Sequence, residues 1–222
     1  MARDGKFIVL DGIDGGGKTQ ALAYVRQKLE SSDYPVVVTR EPGGTEEGTA
    51  LRQLLVEKDT HDWEPMAELL LMTAARVQHV ARVIRPALEE GRVVLCDRFV
   101  GATIAYQGGG RGISTAKILQ LHKIALDDIW PDLTVILDLD PATGLERSRA
   151  RLSSSGSSET RFEDLDLSFH QRVRQSFLDQ AAERPQSYTI IDADRPSQIV
   201  QEDVLQTVLK ALGPPRPRGA RT

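Results

Sequence analysis

The chain has 222 residues, with 28 Lys and Arg against 32 Asp and Glu, for a formal charge of −4. That length suits one globular domain with an insertion and a real core, and the acidic balance argues against a general nucleic-acid or anionic-membrane binder. The single cysteine, Cys96, excludes an intrachain disulfide and a cysteine metal set; with no export signal and no apolar run near the roughly 18 residues of a membrane span, the expected compartment is the cytoplasm.

The first β-rich run, Lys6–Asp11, leads into GIDGGGKT, residues 12 to 19. Glycine is costly inside regular structure, so Gly12, Gly15, Gly16 and Gly17 together call for a close approach to something. The spacing of Gly12, Gly17, Lys18 and Thr19 satisfies G-x-x-x-x-G-K-[ST]. In that pattern backbone N–H groups curl round phosphate oxygens and the next helix offers its positive end. Lys18 then reaches the outer phosphates, and Thr19 places its hydroxyl on magnesium. Ala21, Leu22, Val25 and Leu29 follow at helical spacing.

A second strand, Pro35–Thr39, runs into TREPGGTEEG, where Pro42-Gly43-Gly44 forces a turn and Thr45 can cap a helix carrying Arg52. Arg52 is within reach of an acceptor phosphate. The longest helical pattern, Glu64 to about Glu90, sets Met66, Leu69, Leu70, Thr73, Val77, Val80, Ile84 and Leu88 on one stripe, predicted to be core. Met72 and Arg76 share another face. Arg76 fits solvent or the edge of a planar ligand, and His79 reads as exposed or structural rather than catalytic.

A third strand, Arg92–Asp97, ends in Asp97-Arg98. Ligands of open α/β sheets gather beyond the carboxyl ends of strands, so Asp97 there can hold magnesium and the Arg98 fork suits a phosphate. Cys96, between apolar neighbours, is expected to be a buried structural thiol. YQGGGRG, residues 106 to 112, reads as a flexible glycine loop that brings Tyr106 and Gln107 near whatever Asp97 and Arg98 bind. Strands Leu133–Leu139 and Tyr188–Asp192 complete a set of five, separated by helical patterns at Thr115–Ile129, Ala142–Leu152, Phe169–Glu183 and Ile199–Leu212. The alternation predicts a parallel sheet with helices on both faces.

Arg147, Arg149 and Arg151 precede SSSGSSET, with Arg161 after it. On a helix Arg147 and Arg151 share a face while Arg149 points elsewhere. The serine-rich stretch is mobile by composition, and an arginine-bearing flap of this kind can screen charge on a transferring phosphoryl group. GPPRPRGART, residues 213 to 222, has little to bury and reads as a disordered tail.

Together GIDGGGKT, TREPGGT, AARVQ, DRF, AYQGGGRG and the arginine-flanked flap resemble the bacterial thymidylate kinases, from about Phe7 to Leu212. The resemblance implies a P-loop nucleoside monophosphate kinase fold: an α/β architecture with a five-stranded parallel sheet, helices on both faces and a small lid. It makes residues 1–212 one P-loop kinase domain with a lid at about 147–161. It further implies ATP in the loop formed by Gly12, Ile13, Asp14, Gly15, Gly16, Gly17, Lys18 and Thr19, dTMP beside it, and a homodimer. By the same resemblance Lys18 and Thr19 serve ATP and Mg²⁺, Asp97 assists the metal, and Asp14 meets the substrate's sugar hydroxyl or a metal-bound water. Arg52 and Arg98 hold the acceptor phosphate, Arg76 and Thr103 address the base, and Tyr106, with Gln107 next to it, crowds the sugar 2′ position. Some members carry an arginine inside the phosphate loop. Gly15 stands there in this chain, which points to Arg149 and Arg151 as the source of that charge and to Arg147 as a stacking surface for adenine. Met72 occupies the position where members commonly have phenylalanine, and Gly101-Ala102-Thr103 replaces a serine-rich stretch.

Two alternatives follow from the same residues. One is a kinase for another nucleoside monophosphate or a deoxynucleoside, which the Met72 departure leaves open. The other is a nucleotide-dependent switch, against which stands the lack of an N-K-x-D guanine motif.

Overall fold

The computed structural model describes residues 5–57, 62–155 and 160–213. Five strands, β1 (Lys6–Asp11), β2 (Val36–Arg40), β3 (Val93–Asp97), β4 (Leu133–Asp138) and β5 (Tyr188–Asp192), form one parallel sheet in the order β2-β3-β1-β4-β5. β1 and β3 are buried along almost their whole length, as strands covered on both faces must be, and their sequences are correspondingly apolar runs. The register sets Leu10 beside Asp97 and Arg40 beside Asp97, so the ends of β1, β2 and β3 open onto one edge of the sheet.

Helices α1 (Lys18–Ser31), α2 (Glu46–Val56), α3 (Pro65–His79), α4 (Arg85–Glu89), α5 (Val100–Thr103), α6 (Thr115–Leu126), α7 (Pro141–Ser155), α8 (Leu167–Glu183) and α9 (Ser197–Leu212) cover the two faces. One core cluster joins Leu10, Val25, Leu137, Phe177 and Val204; the other joins Phe7, Val94, Phe99, Ile84 and Leu88. Thr45 caps α2 by accepting from Gly48 N–H at 3.0 Å, as its place after the Pro-Gly-Gly turn predicts.

The predicted helix Glu64–Glu90 is α3, a π-helical turn at Val80–Ile84 and α4 in succession. Its predicted core stripe is only partly buried. Leu69, Thr73, Val80, Ile84 and Leu88 are inside, whereas Met66, Leu70 and Val77 are 44%, 50% and 37% exposed. The predicted stripe is wider than the buried face: these three are left uncovered, because apolar spacing alone does not say which neighbour covers a face.

The glycine cluster of residues 106 to 112 is not a loose loop. Ile104–Gly110 is π-helical and continues α5. Two of the glycines are there because α8 packs against them: a Cβ on Gly110 would lie 2.4 Å from the Phe169 ring, and one on Gly109 2.7 Å from Ser176 Cβ. Expectations for the middle of the serine-rich stretch, residues 156–159, and for the tail from residue 214 onward lie outside the described residues. Among the described residues no helix is long and apolar enough to cross a membrane.

Candidate active site

The turn after β1 fixes the site. Gly12 has φ +118° and Gly15 φ +80°, conformations that side chains disfavour, and a Cβ at either would strike backbone. The obstacles are Leu137 O for Gly12 and Gly144 O for Gly15, at 2.4 and 2.3 Å. These glycines are therefore required by the chain's own β4 and α7, a reason the phosphate argument did not supply. Gly17 ends the turn at φ +85° with nothing close to its missing side chain, and α1 begins at Lys18 with no side-chain cap among the described residues. Lys18 Nζ donates to Gly12 O at 3.1 Å and Ile13 O at 2.8 Å, wrapping the ammonium over the loop.

In front of this turn lies a cleft of about 640 Å³. Its floor holds Asp14, Gly15, Gly17, Lys18 and Thr19; Gly12, Ile13 and Gly16 stand behind them and do not reach the surface of the cleft. The far end is formed by Met72, Arg76, Ala102, Thr103 and Gln107, with Arg40, Arg52, Arg98 and Tyr106 between. Arg147, Arg151, Phe162 and Glu163 close the remaining side.

Arg98 is the central charge. Its backbone has φ +69°, a left-handed conformation uncommon outside glycine and enriched at functional sites. Its Nη2 donates to Asp14 Oδ1 at 2.9 Å and to the Tyr106 hydroxyl at 3.2 Å, while Tyr106 donates to Asp14 Oδ2 at 2.8 Å. Nη1 is buried and has no partner among the described residues. A guanidinium edge left over in this way, beside the phosphate-type turn, is a ready donor to an anionic oxygen. Burial by itself would raise the Asp14 carboxyl, but Arg98, Lys18 and the Tyr106 hydrogen bond outweigh it and hold the group well below the usual carboxylate range. Burial, reinforced by Arg98, presses the Lys18 ammonium down.

At the far end Arg76 is buried, not solvated. Nε donates to Glu41 Oε2 at 2.6 Å, and Nη2 donates to Thr103 Oγ1 at 2.7 Å and Phe99 O at 3.4 Å. His79, fully buried, gives its Nδ1 hydrogen to Glu41 Oε1 at 2.9 Å. Of the two readings the sequence allowed for His79, exposed or structural, burial rules out the first, and the sequence gives no sign of this chain of partners. Gln107 donates from Nε2 to the buried Glu68 at 2.9 Å while lining the cleft.

The three arginines of α7 separate as helical geometry predicts. Arg147 and Arg151 line the cleft; Arg149 donates to Glu163 O at 2.8 Å and does not line it. Arg147 is tied to Asp194 at 2.9 Å and Ala193 O at 3.3 Å. Glu163, which sequence reading missed, accepts from Ser148 Oγ at 2.9 Å; burial, with Asp14 nearby, raises its carboxyl above the ordinary range. Arg40 and Arg52 also face the cleft, and Arg52 Nη1 donates to Pro42 O at 3.3 Å. Cys96 is buried as expected, its Sγ donating to Arg98 O at 3.0 Å, and burial pushes the thiol up.

The residues present fit a magnesium ion bound chiefly through phosphates. Thr19 Oγ1 donates to Asp97 Oδ2 at 3.3 Å, giving a hydroxyl and a carboxylate on one side of the phosphate turn. Among the described residues no cluster of three or more His, Cys, Asp or Glu stands ready as an all-protein cage, and Mg²⁺ typically takes one or two carboxylates and keeps the rest for water and phosphate.

A phosphate turn under a cleft that runs on to a second, guanidinium-rich end, on a sheet ordered β2-β3-β1-β4-β5, defines a P-loop nucleoside monophosphate kinase fold. The sequence matches the family described as thymidylate kinase over residues 10–204. It is 53% identical over 201 residues to the thymidylate kinase of Cereibacter sphaeroides, covering 90% of this chain and 93% of that one. To the thymidylate kinase of Pelobacter propionicus it is 45% identical over 207 residues, covering 93% and 94%. The crystal structure of thymidylate kinase from Ehrlichia chaffeensis superposes with a TM-score of 0.75 at 32% identity, over 92% of this chain and 98% of that one. The chain belongs to the thymidylate kinase family.

Proposed function

We propose that the protein transfers the γ-phosphoryl group of ATP to dTMP, yielding dTDP and ADP. The observation that carries this reading is the single cleft in which the phosphate turn and the Met72, Arg76 and Thr103 end face each other across Arg98. A phosphate oxygen of dTMP forms the new bond to the γ-phosphorus; the bond from that phosphorus to the β,γ-bridging oxygen breaks, and ADP keeps the electron pair. The protein does little covalent work in such chemistry, so positioning and charge carry the catalysis.

Lys18 and the N–H groups of the turn hold the ATP phosphates. Arg98, through its unpartnered Nη1, and Arg52 hold the dTMP phosphate and set it in line. Asp14 anchors Arg98 and Tyr106 and faces the sugar. Thr19 and Asp97 would hold Mg²⁺, which would supply charge neutralisation to the ATP phosphates. Arg76 and Thr103 face the base edge beside Met72, a soft apolar surface for thymine. Tyr106 and Gln107 enclose the sugar. Arg151 covers the transferring group from the lid, 147–161, Arg149 stands behind it, and Arg147 lies on the adenine side. The single cysteine and the nucleotide substrates fit the cytoplasm.

We further propose a homodimer through the outer face of α3. Met66, Leu70 and Val77 form an exposed apolar stripe there, the kind of surface a second copy covers.

A coupled ADP-release assay with ATP and Mg²⁺ across dTMP, dUMP, dCMP, dGMP and thymidine tests the activity. The expected result is turnover of dTMP well above the other acceptors. Preference for thymidine over every monophosphate overturns the reading.

A further inference from the structure

Helix α3 carries one acid on its buried side. Glu68 is fully buried, yet it does not line the cleft. A carboxylate in such a place is expensive unless paired, and its partners come from distant parts of the chain. Gln107 Nε2 donates to Oε1 at 2.9 Å, Arg111 Nη2 donates to Oε2 at 3.2 Å, and Arg161 Nη1 meets Oε2 at 2.7 Å. Arg161 also donates to Leu55 O at 3.0 Å and, through its backbone, to Val56 O at 3.3 Å.

Two of these partners belong to opposite sides of the cleft. Gln107 forms part of the nucleoside wall; Arg161 begins the stretch that places Phe162 and Glu163 on the lid side. From Glu163 the contacts continue. Ser148 Oγ donates to Glu163 Oε1 at 2.9 Å and accepts from Arg151 Nη2 at 3.2 Å. An unbroken run of contacts and backbone therefore leads from Gln107 through Glu68, Arg161, Glu163 and Ser148 to Arg151. Buried ion clusters of this kind are often no more stabilising than apolar residues of the same volume, so stability is a weak reason for burying one here.

We infer that Glu68 is a positioning residue that latches the returning end of the lid to the nucleoside wall. Occupancy of the dTMP end is thereby coupled to the placement of Arg151 over the transferring phosphoryl group. The inference rests on the proposed dTMP kinase activity for its consequence, but the latch itself is observable without turnover.

The test uses the full chain with Glu68→Gln, Arg161→Gln and the two combined. Steady-state kinetics and backbone hydrogen exchange are measured with and without dTMP. Glu68→Gln is expected to lower kcat about tenfold or more and raise the dTMP KM, with the ATP KM within about twofold. It also abolishes the dTMP-dependent slowing of exchange at residues 160–166. Arg161→Gln reproduces the loss of kcat with a near-normal dTMP KM, and the double variant is no slower than Glu68→Gln, because both act through one contact. Multiplying effects in the double variant overturn the latch. So does a Glu68→Gln protein with a lower melting temperature alone, its kcat and dTMP protection intact. Should Glu68→Gln not fold, an Arg161→Gln protein with unchanged kcat overturns it equally. If the wild type makes no dTDP, the activity assignment fails by itself. The latch then stands or falls on the ligand-free proteins, where Glu68→Gln must speed exchange at 104–111 and 160–166 together.

Discussion

Arg76 gives its Nε hydrogen to Glu41 Oε2 across 2.6 Å, with both side chains at most 5% exposed. Because a carboxylate only accepts, His79 donates from Nδ1 to Glu41 Oε1, while its Nε2 is hydrogen-bonded to the Thr39 hydroxyl at 2.6 Å. Burial raises the Glu41 carboxyl, but Arg76 and His79 prevail and hold it below its ordinary value. The guanidinium is thus pinned at Nε by Glu41 and at Nη2 by Thr103 and the Phe99 carbonyl. Glu41→Gln should raise the dTMP KM about ten- to a hundredfold with a smaller change in kcat, the scale of a charge-assisted hydrogen bond of about 1.5–3 kcal/mol. Initial rates over a dTMP series check this; an unchanged KM would show that Arg76 needs no such support.

Lys18 wraps over its own loop through Gly12 O and Ile13 O and is the loop's only ammonium. Lys18→Ala should abolish dTDP formation while the melting temperature changes little. Near-normal turnover in the ADP-release assay would remove the phosphate-turn assignment.

Arg149 and Arg151 differ in the structure although they stand two residues apart. Arg151 faces the cleft, and Arg149 holds the Glu163 carbonyl. Arg151→Ala should lower kcat by about 10³-fold or more, the range of an arginine that stabilises phosphoryl-transfer charge, with ATP binding nearly intact. Arg149→Ala should cost less and act by loosening residues 160–163. Equal losses in ATP affinity and none in turnover for Arg151→Ala would take the lid out of the chemistry.

Asp11 ends β1 with both carboxylate oxygens buried and unpartnered among the described residues. Burial raises its carboxyl to about 7 from 3.8, against the pull of Arg98 and Lys18. Between those values the folded chain holds more protons than the unfolded chain. Stability therefore falls as pH rises through this window and is unaffected by the group below it. Asp11→Asn should be more stable than the wild type at pH 8 and alike near pH 4, as read from urea midpoints over that range. Asp14 has the opposite sign: its lowered carboxyl stabilises the fold above the ordinary carboxylate range, and that contribution disappears as acid protonates it.

Leu70, half exposed at the centre of the outer α3 stripe, tests the dimer. Leu70→Lys should shift the sedimentation velocity profile from two chains toward one without unfolding the protein. A wild type that sediments as a single chain contradicts the proposal directly.

Much of this architecture was legible because it is written in neighbouring residues. The run Phe7–Leu10 followed by GIDGGGKT marks a strand, a turn and a helix within a few positions. The third strand ends at Asp97 as its composition predicts. The facing of Arg147 and Arg151, away from Arg149, follows from helical geometry alone. Glu68 was not visible: the sequence shows only an acid just before Leu69-Leu70-Leu71, with nothing to say that it is buried or what pairs with it. The partners, Gln107, Arg111 and Arg161, lie 39 or more positions away and are brought in by different elements.

Sequence by itself determined the five strands, the phosphate turn and the choice of charged side chains, since local periodicity and spacing are set by bonds between adjacent residues. Tertiary packing decided the rest. It buried Arg76 against Glu41, drew Gly109 and Gly110 into a helical turn under α8, and left Met66, Leu70 and Val77 uncovered. Each of those outcomes depends on which surface meets which, and contacts between elements far apart in the chain leave no fixed interval to read.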